Sequence, residues 1–223
     1  MNLRVAVDAR AMENPASGVG RVLRELLSAA RRVDPEVAWD LRTPPRWMGK
    51  GSLARFAPLP LDRFGERPDV LLAPANLPPI LPRVPVVLVV HDLTFRTRPR
   101  EHTRAFAAGM RLVFGPGLRT VEAVQVPSLA TRRDLLRFHP GVEDRTRIVP
   151  YGVAARFSPD PAPGERERLR ARYDLPEEFA LAVGVREPRK NLDLLARVFH
   201  SRPLPPLVLA GPSGWGGASP PVS

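Results

Sequence analysis

The stretch Val84-Pro85-Val86-Val87-Leu88-Val89-Val90-His91-Asp92 decides the fold class of this chain. A short, continuous, valine-rich run is typical of a strand buried on both faces of a parallel sheet. The polar pair His91-Asp92 follows directly, and ligands in open α/β sheets bind beyond the carboxyl ends of the strands. His91 can donate a hydrogen bond to a substrate hydroxyl there, and Asp92 can accept one. The alternative is a polar pair that only caps the strand end.

Similar apolar segments recur along the first 150 residues, at intervals that leave room for helices. They predict strands over residues 3–8, 37–41, 69–73, 84–90, 121–126 and 147–149. Apolar positions three and four residues apart predict helices over residues 19–27, 100–114 and 128–138, with Ser128 as an N-cap. This alternation predicts an α/β protein with a doubly wound, Rossmann-like N-terminal domain.

The pattern changes after Pro150, where a stretch rich in proline and glycine predicts a linker over residues 151–164. Beyond it, helices are predicted over residues 165–173 and 191–199 and strands over residues 179–183 and 207–210. At about 150 residues per domain, 223 residues amount to one and a half domains. We therefore predict a first domain over residues 1–150 and an incomplete second Rossmann-like domain over residues 165–223.

The composition excludes several classes of protein. There is no cysteine and there are only four scattered histidines, so disulfides and a Cys- or His-based metal site are not expected. No apolar run approaches the roughly 18 residues of a membrane span. The N-terminus leads directly into a predicted strand, which indicates no signal peptide and predicts a cytoplasmic protein.

The net charge of +11 lies mainly in the first 150 residues, which carry 24 basic and 15 acidic side chains. Nucleic-acid binding is nevertheless not expected, because aromatic residues make up only 6% and form no stacking platform between the arginines. An arginine cluster, Arg96, Arg98, Arg100, Arg104 and Arg111, can face an anionic acceptor or the inner surface of a membrane. The alternative for this cluster is a solvated helix face.

Two glycine-containing segments precede predicted helices. Gly18-Val19-Gly20 lets backbone amides approach a phosphate or a sugar, although a structural turn is the alternative. In the segment from Val183 to Asn191, Gly184 is followed by Arg186, Arg189 and Lys190. Cations and free amides at a helix start form an anion site, so this segment predicts a diphosphate site rather than a solvated charge run.

Several of these motifs occur together in the order found in one enzyme family. They are Val7-Asp8-Ala9-Arg10, Ser17-Gly18-Val19-Gly20-Arg21, Val90-His91-Asp92-Leu93, Val126-Pro127-Ser128, Ile148-Val149-Pro150-Tyr151-Gly152-Val153, Glu187-Pro188-Arg189-Lys190-Asn191 and Leu209-Ala210-Gly211-Pro212. With these motifs the chain resembles the amino-terminal part of a group 1, or family 4, glycosyltransferase of the retaining type. The resemblance spans nearly the whole chain.

The resemblance implies a partial GT-B fold, in which an acceptor-side domain faces a domain that binds a nucleotide-sugar donor. It implies transfer of a hexose, with retention, to a saccharide or lipid-linked acceptor, without a metal or other cofactor. Matching positions place His91 near the transferred sugar and Lys190 on the donor diphosphate, with Gly18 and Gly20 in a loop near donor and acceptor. Arg186 is the candidate for a diphosphate-binding role that the family gives to the residue at Val185.

The chain also departs from the family pattern. The family carries two glutamates separated by seven residues in its second domain, and no pair here has that spacing. We therefore expect a truncated product in which transferase activity is impaired. The alternative is a non-catalytic remnant that binds an acceptor or a partner, and affinity for a nucleoside diphosphate separates the two.

Overall fold

The computed structural model describes residues 2–14, 17–44, 67–79, 82–187 and 190–212. The chain forms two compact units, Met1–Gly152 and Val153–Ser223, called the first and the second unit below. The division falls inside the linker predicted over residues 151–164.

The first unit is built on one parallel sheet. Its strands are β1 (Arg4–Asp8), β2 (Ala38–Arg42), β3 (Val70–Ala73), β4 (Val86–Val89), β5 (Ala123–Val126) and β6 (Thr146–Ile148). Their order in the sheet is β2-β1-β3-β4-β5-β6, and all pairs are parallel. The Rossmann-like α/β class predicted from the sequence is therefore confirmed. Strand β2 lies on one side of β1, and β3 lies on the other, so the direction in which the chain adds strands to the sheet reverses between β1 and β3. Doubly wound sheets bind ligands in a crevice at such a reversal.

Helices cover both faces of this sheet. They are α1 (Gly18–Val33), α2 (Thr94–Thr97), α3 (Arg104–Leu118) and α4 (Leu129–Phe138). Successive strand residues point to opposite faces, so β3 contributes Leu71 to one buried cluster and Leu72 to the other. The first cluster also contains Phe114 of α3 and Leu135 of α4, whereas the second contains Leu23 of α1.

Helix α3 begins and ends four residues later than the sequence predicts. Residues Pro99–Glu101 form a separate short 3₁₀ turn, and the side chain of Thr103 then caps α3 by accepting the amide proton of Phe106. The helix continues to Leu118 and has Pro116 inside its last turn. By contrast, α4 follows its predicted cap, since Ser128 Oγ accepts the amide proton of Thr131 at 3.2 Å.

The second unit contains α5 (Glu165–Tyr173), β7 (Ala180–Val183), α6 (Leu192–Ser201) and β8 (Leu207–Ala210). Strands β7 and β8 pair in parallel, in agreement with the α/β pattern predicted for this part of the chain. Within the described residues 153–187 and 190–212, no residue is fully buried. Leu181 and Val183 on β7 are 56% and 75% exposed, so this strand pair has little core of its own.

Candidate functional site

The carboxyl edge of the sheet in the first unit brings together residues from four of its strands. Asp8 ends β1, the Pro74-Ala75-Asn76 turn follows β3, His91 and Asp92 follow β4, and Tyr151 follows β6. Because parallel strands all end at the same edge, these residues gather there despite their separation in sequence. The sequence predicted this position for His91 and Asp92.

The imidazole of His91 has a fixed tautomer. Its Nε2 lies 2.6 Å from the backbone carbonyl oxygen of Pro74. A carbonyl oxygen can only accept a hydrogen bond, so Nε2 carries the proton and Nδ1 of the neutral ring is an acceptor. The expectation that His91 donates to a substrate hydroxyl is therefore wrong for this tautomer, because its N–H is used on Pro74 and the remaining ring nitrogen can only accept. Burial lowers the pKa of His91 below its usual value, although the Pro74 contact and the charge of Asp92 oppose this shift. The neutral form is therefore favoured in the folded protein.

The backbone of His91 is held by two side chains that sequence reasoning did not select for the site. Asn76 Oδ1 accepts the His91 amide proton at 2.6 Å, and Thr131 Oγ1 donates to the His91 carbonyl at 3.1 Å. Asn76 also donates from Nδ2 to the carbonyl of Asp92 at 3.2 Å, and its own φ is +60°. An asparagine after Pro74-Ala75, between two strands, was the available signal, because asparagine tolerates this left-handed conformation in turns.

The phenol of Tyr151 completes the contacts of the His91 ring. Its Oη lies 2.5 Å from His91 Nδ1, and the two rings are tilted with centroids 5.6 Å apart. Burial raises the pKa of Tyr151 to about 12, so the phenol keeps its proton at neutral pH. Tyr151 therefore donates this hydrogen bond. The sequence placed Tyr151 at the start of the linker, with no link to His91.

The carboxylate of Asp92 accepts hydrogen bonds from a residue in its own turn. Its Oδ1 accepts hydrogen bonds from the amide and the hydroxyl of Thr94, at 3.0 and 2.7 Å. The Thr94 hydroxyl uses its proton on Asp92, so it accepts from His102 Nε2 at 2.9 Å. This arrangement orients the start of α2. A substrate contact by Asp92 stays a prediction.

The Gly18-Val19-Gly20 segment forms the first turn of α1. Ser17 caps the helix through a 3.2 Å hydrogen bond from the amide of Gly20 to Ser17 Oγ. A Cβ atom on Gly20 would overlap the carbonyl oxygen of Ala11, whereas one on Gly18 would meet no atom of the described residues within 4 Å. Gly20 is therefore required by packing, and among the described residues none crowds Gly18 at the N-terminus of α1. Their predicted role near donor and acceptor remains a prediction.

In the second unit, the described residues of the predicted diphosphate segment lie between β7 and α6. Gly184 has a φ of +150°, which favours glycine, and its amide donates to the carbonyl of Ala210. The side chain of Lys190 passes close to Gly184, since its Cε would lie 3.7 Å from a Cβ atom added to that glycine. Arg186 pairs its amide with the Pro212 carbonyl, and Arg189 lies outside the described residues. Gly184 and Lys190 thus lie close together, and the diphosphate role of Gly184, Arg186 and Lys190 stays a prediction.

Some arginines of the cluster contact other side chains of the first unit, and others are exposed. The guanidinium of Arg96 lies 5.1 Å from the centre of the Phe138 ring, and Arg98 pairs with Glu101 at 3.8 Å. Arg100, Arg104 and Arg111 are exposed. Among the described helices, none combines the length and the apolar character that a membrane crossing requires.

The lowered pKa of His91 predicts a pH-dependent stability. The unfolded chain binds a proton on this histidine near its usual pKa of 6.5, and the folded chain does so only at lower pH. The free energy of unfolding should therefore fall as pH decreases below about 6.5, by up to about 1.4 kcal/mol per pH unit from His91. Urea unfolding at pH 7.5, 6.5 and 5.5, followed by circular dichroism, measures this slope.

The variant His91→Gln isolates the contribution of this residue, since its amide can still donate to the Pro74 carbonyl. We expect a shallower slope in the variant. His139 also has a lowered pKa, mainly through burial and secondly through Arg96, so some dependence on pH should remain. Identical slopes in parent and variant would contradict the assignment of a neutral, partly buried His91.

Comparison with known proteins points to one class of enzyme. No family model matches the chain. The chain is similar to an O-antigen chain mannosyltransferase B of Escherichia coli, with 26% identity over 135 residues. The match covers 58% of this chain and 35% of the relative, so the chain spans about a third of that protein's length. The chain is thus similar to part of a glycosyltransferase, and its six-stranded parallel sheet is consistent with a partial GT-B fold.

Proposed function

We propose that the chain derives from a retaining glycosyltransferase of the group 1, or family 4, type. Such an enzyme transfers a hexose from a nucleotide-sugar to a saccharide or lipid-linked acceptor. The observation that carries the proposal is His91, a neutral imidazole fixed at the carboxyl edge of β4 with Nδ1 as an acceptor for a hydroxyl. The similarity to a mannosyltransferase supports it independently.

Each candidate residue has one role in this proposal. His91 binds a hydroxyl near the transferred sugar, and Asp92 accepts a second hydrogen bond from the substrate. Gly18 and Gly20 let donor or acceptor approach the N-terminus of α1, where amide dipoles favour negative charge. In the second unit, Gly184, Arg186, Arg189 and Lys190 bind the donor diphosphate. These cations neutralise the leaving diphosphate, so the proposal includes no metal or other cofactor.

The proposed partners follow from the same chemistry. They are a nucleotide-sugar donor and a saccharide or lipid-linked acceptor, with no nucleic acid. We propose a cytoplasmic location in which the exposed Arg100, Arg104 and Arg111 contact the inner face of a membrane. Anionic lipids attract such residues by about 1 kcal/mol each.

A second candidate function is a non-catalytic module that binds an acceptor or a partner through the first unit. It is favoured by the contrast in burial between the two units. The first unit has two buried clusters, whereas the described residues of the second unit include no fully buried one. Acceptor binding needs only the better-packed unit, and donor chemistry needs both.

Incubation of the whole chain with a panel of nucleotide-sugars and saccharide acceptors tests the proposed activity. Transfer of the sugar to an acceptor with retained anomeric configuration supports the enzyme. Titration calorimetry with nucleoside diphosphates then separates the candidates, because the non-catalytic module binds saccharides and not nucleoside diphosphates. Absence of both transfer and nucleoside diphosphate binding would refute the enzyme for this chain.

Lys190→Ala should weaken nucleoside diphosphate binding. A charge-assisted hydrogen bond contributes about 1.5–3 kcal/mol, and Lys190 is exposed, so the low end applies and we expect about a tenfold loss of affinity. Arg197→Ala is the matched control, since Arg197 is an exposed cation on α6 of the same unit. Equal affinities for the Lys190 and Arg197 variants would show that binding depends on overall charge and not on this turn.

A further inference from the structure

The contacts of His91 fall into two groups. Three of them fix the residue to the sheet and its adjoining elements: the Pro74 carbonyl on Nε2, Asn76 on the amide and Thr131 on the carbonyl. The fourth joins Nδ1 to the hydroxyl of Tyr151, sixty residues away in sequence. The first three contacts suffice to hold the residue and to define its tautomer, so Tyr151 is not needed for either.

The position of Tyr151 differs from that of the other three partners. Pro74 is buried, Thr131 is 8% exposed, and Tyr151 is 39% exposed within a segment, residues 147–153, whose members are all exposed. A Cβ atom built on the next residue, Gly152, would meet no atom within 4 Å in the part of the chain that the structure describes. Tyr151 is therefore more accessible to solvent than the partners that lie within the fold.

The chemistry of Nδ1 restricts what can replace Tyr151. The neutral ring offers a lone pair at this atom, so the partner must donate a proton. Phosphate dianions and carboxylates have no proton to donate at neutral pH and would face this lone pair unfavourably. A neutral hydroxyl fits, and the phenol of Tyr151 already supplies one at 2.5 Å. The ligand group for this atom is therefore a hydrogen-bond donor, and a saccharide hydroxyl is one such group.

We propose that Tyr151 acts as a latch on His91: its hydroxyl occupies the position of a saccharide hydroxyl, and the bound saccharide displaces it. The saccharide as ligand rests on the proposed function, whereas the latch itself rests on the contacts within the first unit. The latch lowers the apparent affinity of the site, because ligand binds only the fraction of molecules in which Tyr151 has left.

The first test needs no ligand. Nitrogen-15 NMR distinguishes the two imidazole nitrogens of His91 in the whole chain and in the variant Tyr151→Phe. We expect the Nε2-protonated tautomer in both proteins and a changed Nδ1 shift in the variant only. Tyr173→Phe is the matched control, because Tyr173 is the second of the two tyrosines and lies on α5 in the other unit. An Nδ1-protonated ring, or an Nδ1 shift that Tyr151→Phe leaves unchanged, overturns the proposal.

The second test adds two probes, methyl α-D-mannoside and a nucleoside diphosphate mannose. From the net free energy of an ordinary hydrogen bond, we expect Tyr151→Phe to bind whichever probe occupies the site roughly two- to tenfold more tightly than the parent does. Tyr173→Phe should bind like the parent. If the variant binds only the mannoside more tightly, the ligand is an acceptor-type sugar. If it binds only the nucleotide-linked sugar more tightly, the ligand is the donor. Unchanged or weaker binding of both probes by Tyr151→Phe overturns the latch.

A measurement on the parent protein keeps the test decisive should Tyr151→Phe fold poorly. Saturating probe should move the ring proton signals of Tyr151 toward those of a solvent-exposed tyrosine, and signals that stay unchanged overturn the proposal.

The latch and the proposed function fail separately. Transfer activity, without tighter probe binding by Tyr151→Phe, contradicts the latch and leaves the proposed function standing. Tighter saccharide binding in Tyr151→Phe, with neither transfer from any nucleotide-sugar nor nucleoside diphosphate binding, supports the latch and contradicts the enzyme.

Discussion

Replacing Gly20 by alanine is expected to destabilise the first unit by about 3 kcal/mol, the upper end of the cost of inserting one methyl group into a packed site. The added Cβ would overlap the carbonyl oxygen of Ala11 and lie 3.1 Å from the carbon of the same carbonyl. Because this neighbour is backbone, no side-chain rotation can relieve the overlap. Either α1 or the 3₁₀ turn at Ala9–Glu13 must shift. Urea unfolding followed by circular dichroism measures the loss.

Gly18→Ala is the control for this prediction. It adds the same methyl group two residues earlier, in the same helical turn, where no atom of residues 2–14, 17–44, 67–79, 82–187 or 190–212 lies within 4 Å. Alanine has the better helix propensity and restricts the unfolded chain, so stability should stay the same or rise by up to about 1 kcal/mol. A similar loss in both variants would mean that the Ala11 contact does not constrain Gly20.

The consequence for function concerns the adjacent end of β1. Asp8 is 4% exposed, caps the 3₁₀ turn through the amide of Arg10, and accepts from Arg10 Nε at 2.8 Å. A shift of this turn would therefore move the Asp8–Arg10 pair at the carboxyl edge of the sheet. The requirement for Gly20 thus connects a sequence motif to the shape of the candidate site.

The sheet of the first unit was predictable because each strand is encoded locally. Short apolar runs indicated β3, β4 and β5, and the polar pair after β4 indicated which edge carries His91. Ser128 marked the start of α4 for the same local reason. The predicted start of α3 was four residues too early. Pro99 and Thr103 can both precede a helix, and the cap that forms decides which of them marks the start of α3. That outcome depends on the surrounding fold and not on periodicity.

The partners of His91 were not predictable in the same way. Asn76, Thr131 and Tyr151 lie fifteen, forty and sixty residues from it in sequence. Each follows a different strand, so their contacts exist only once the strand order is known. Local patterns identify which residues stand at strand ends, but the neighbours across the edge follow from the order in which the strands pair. The sequence therefore indicated a site without its supporting contacts.

Asn76→Ala is expected to destabilise the first unit by about 3 kcal/mol. The change leaves the His91 amide without its acceptor, which costs about 1–3 kcal/mol for a partly buried donor. It also places alanine at a φ of +60°, which costs a further 1–2 kcal/mol, roughly. Urea unfolding measures the total, and the nitrogen-15 signals of His91 report whether the ring keeps its Pro74 contact.

Asn76→Gly separates the two causes, since glycine adopts positive φ freely but also lacks the side-chain amide. We expect the glycine variant to recover about 1 kcal/mol relative to alanine and to share the disturbance of His91. Equal stabilities for the two variants would assign the whole effect to the lost hydrogen bonds. An undisturbed His91 spectrum in both variants would show instead that Pro74 and Thr131 hold the imidazole without Asn76. In that case the orientation of Nδ1 depends on β3 and α4 alone.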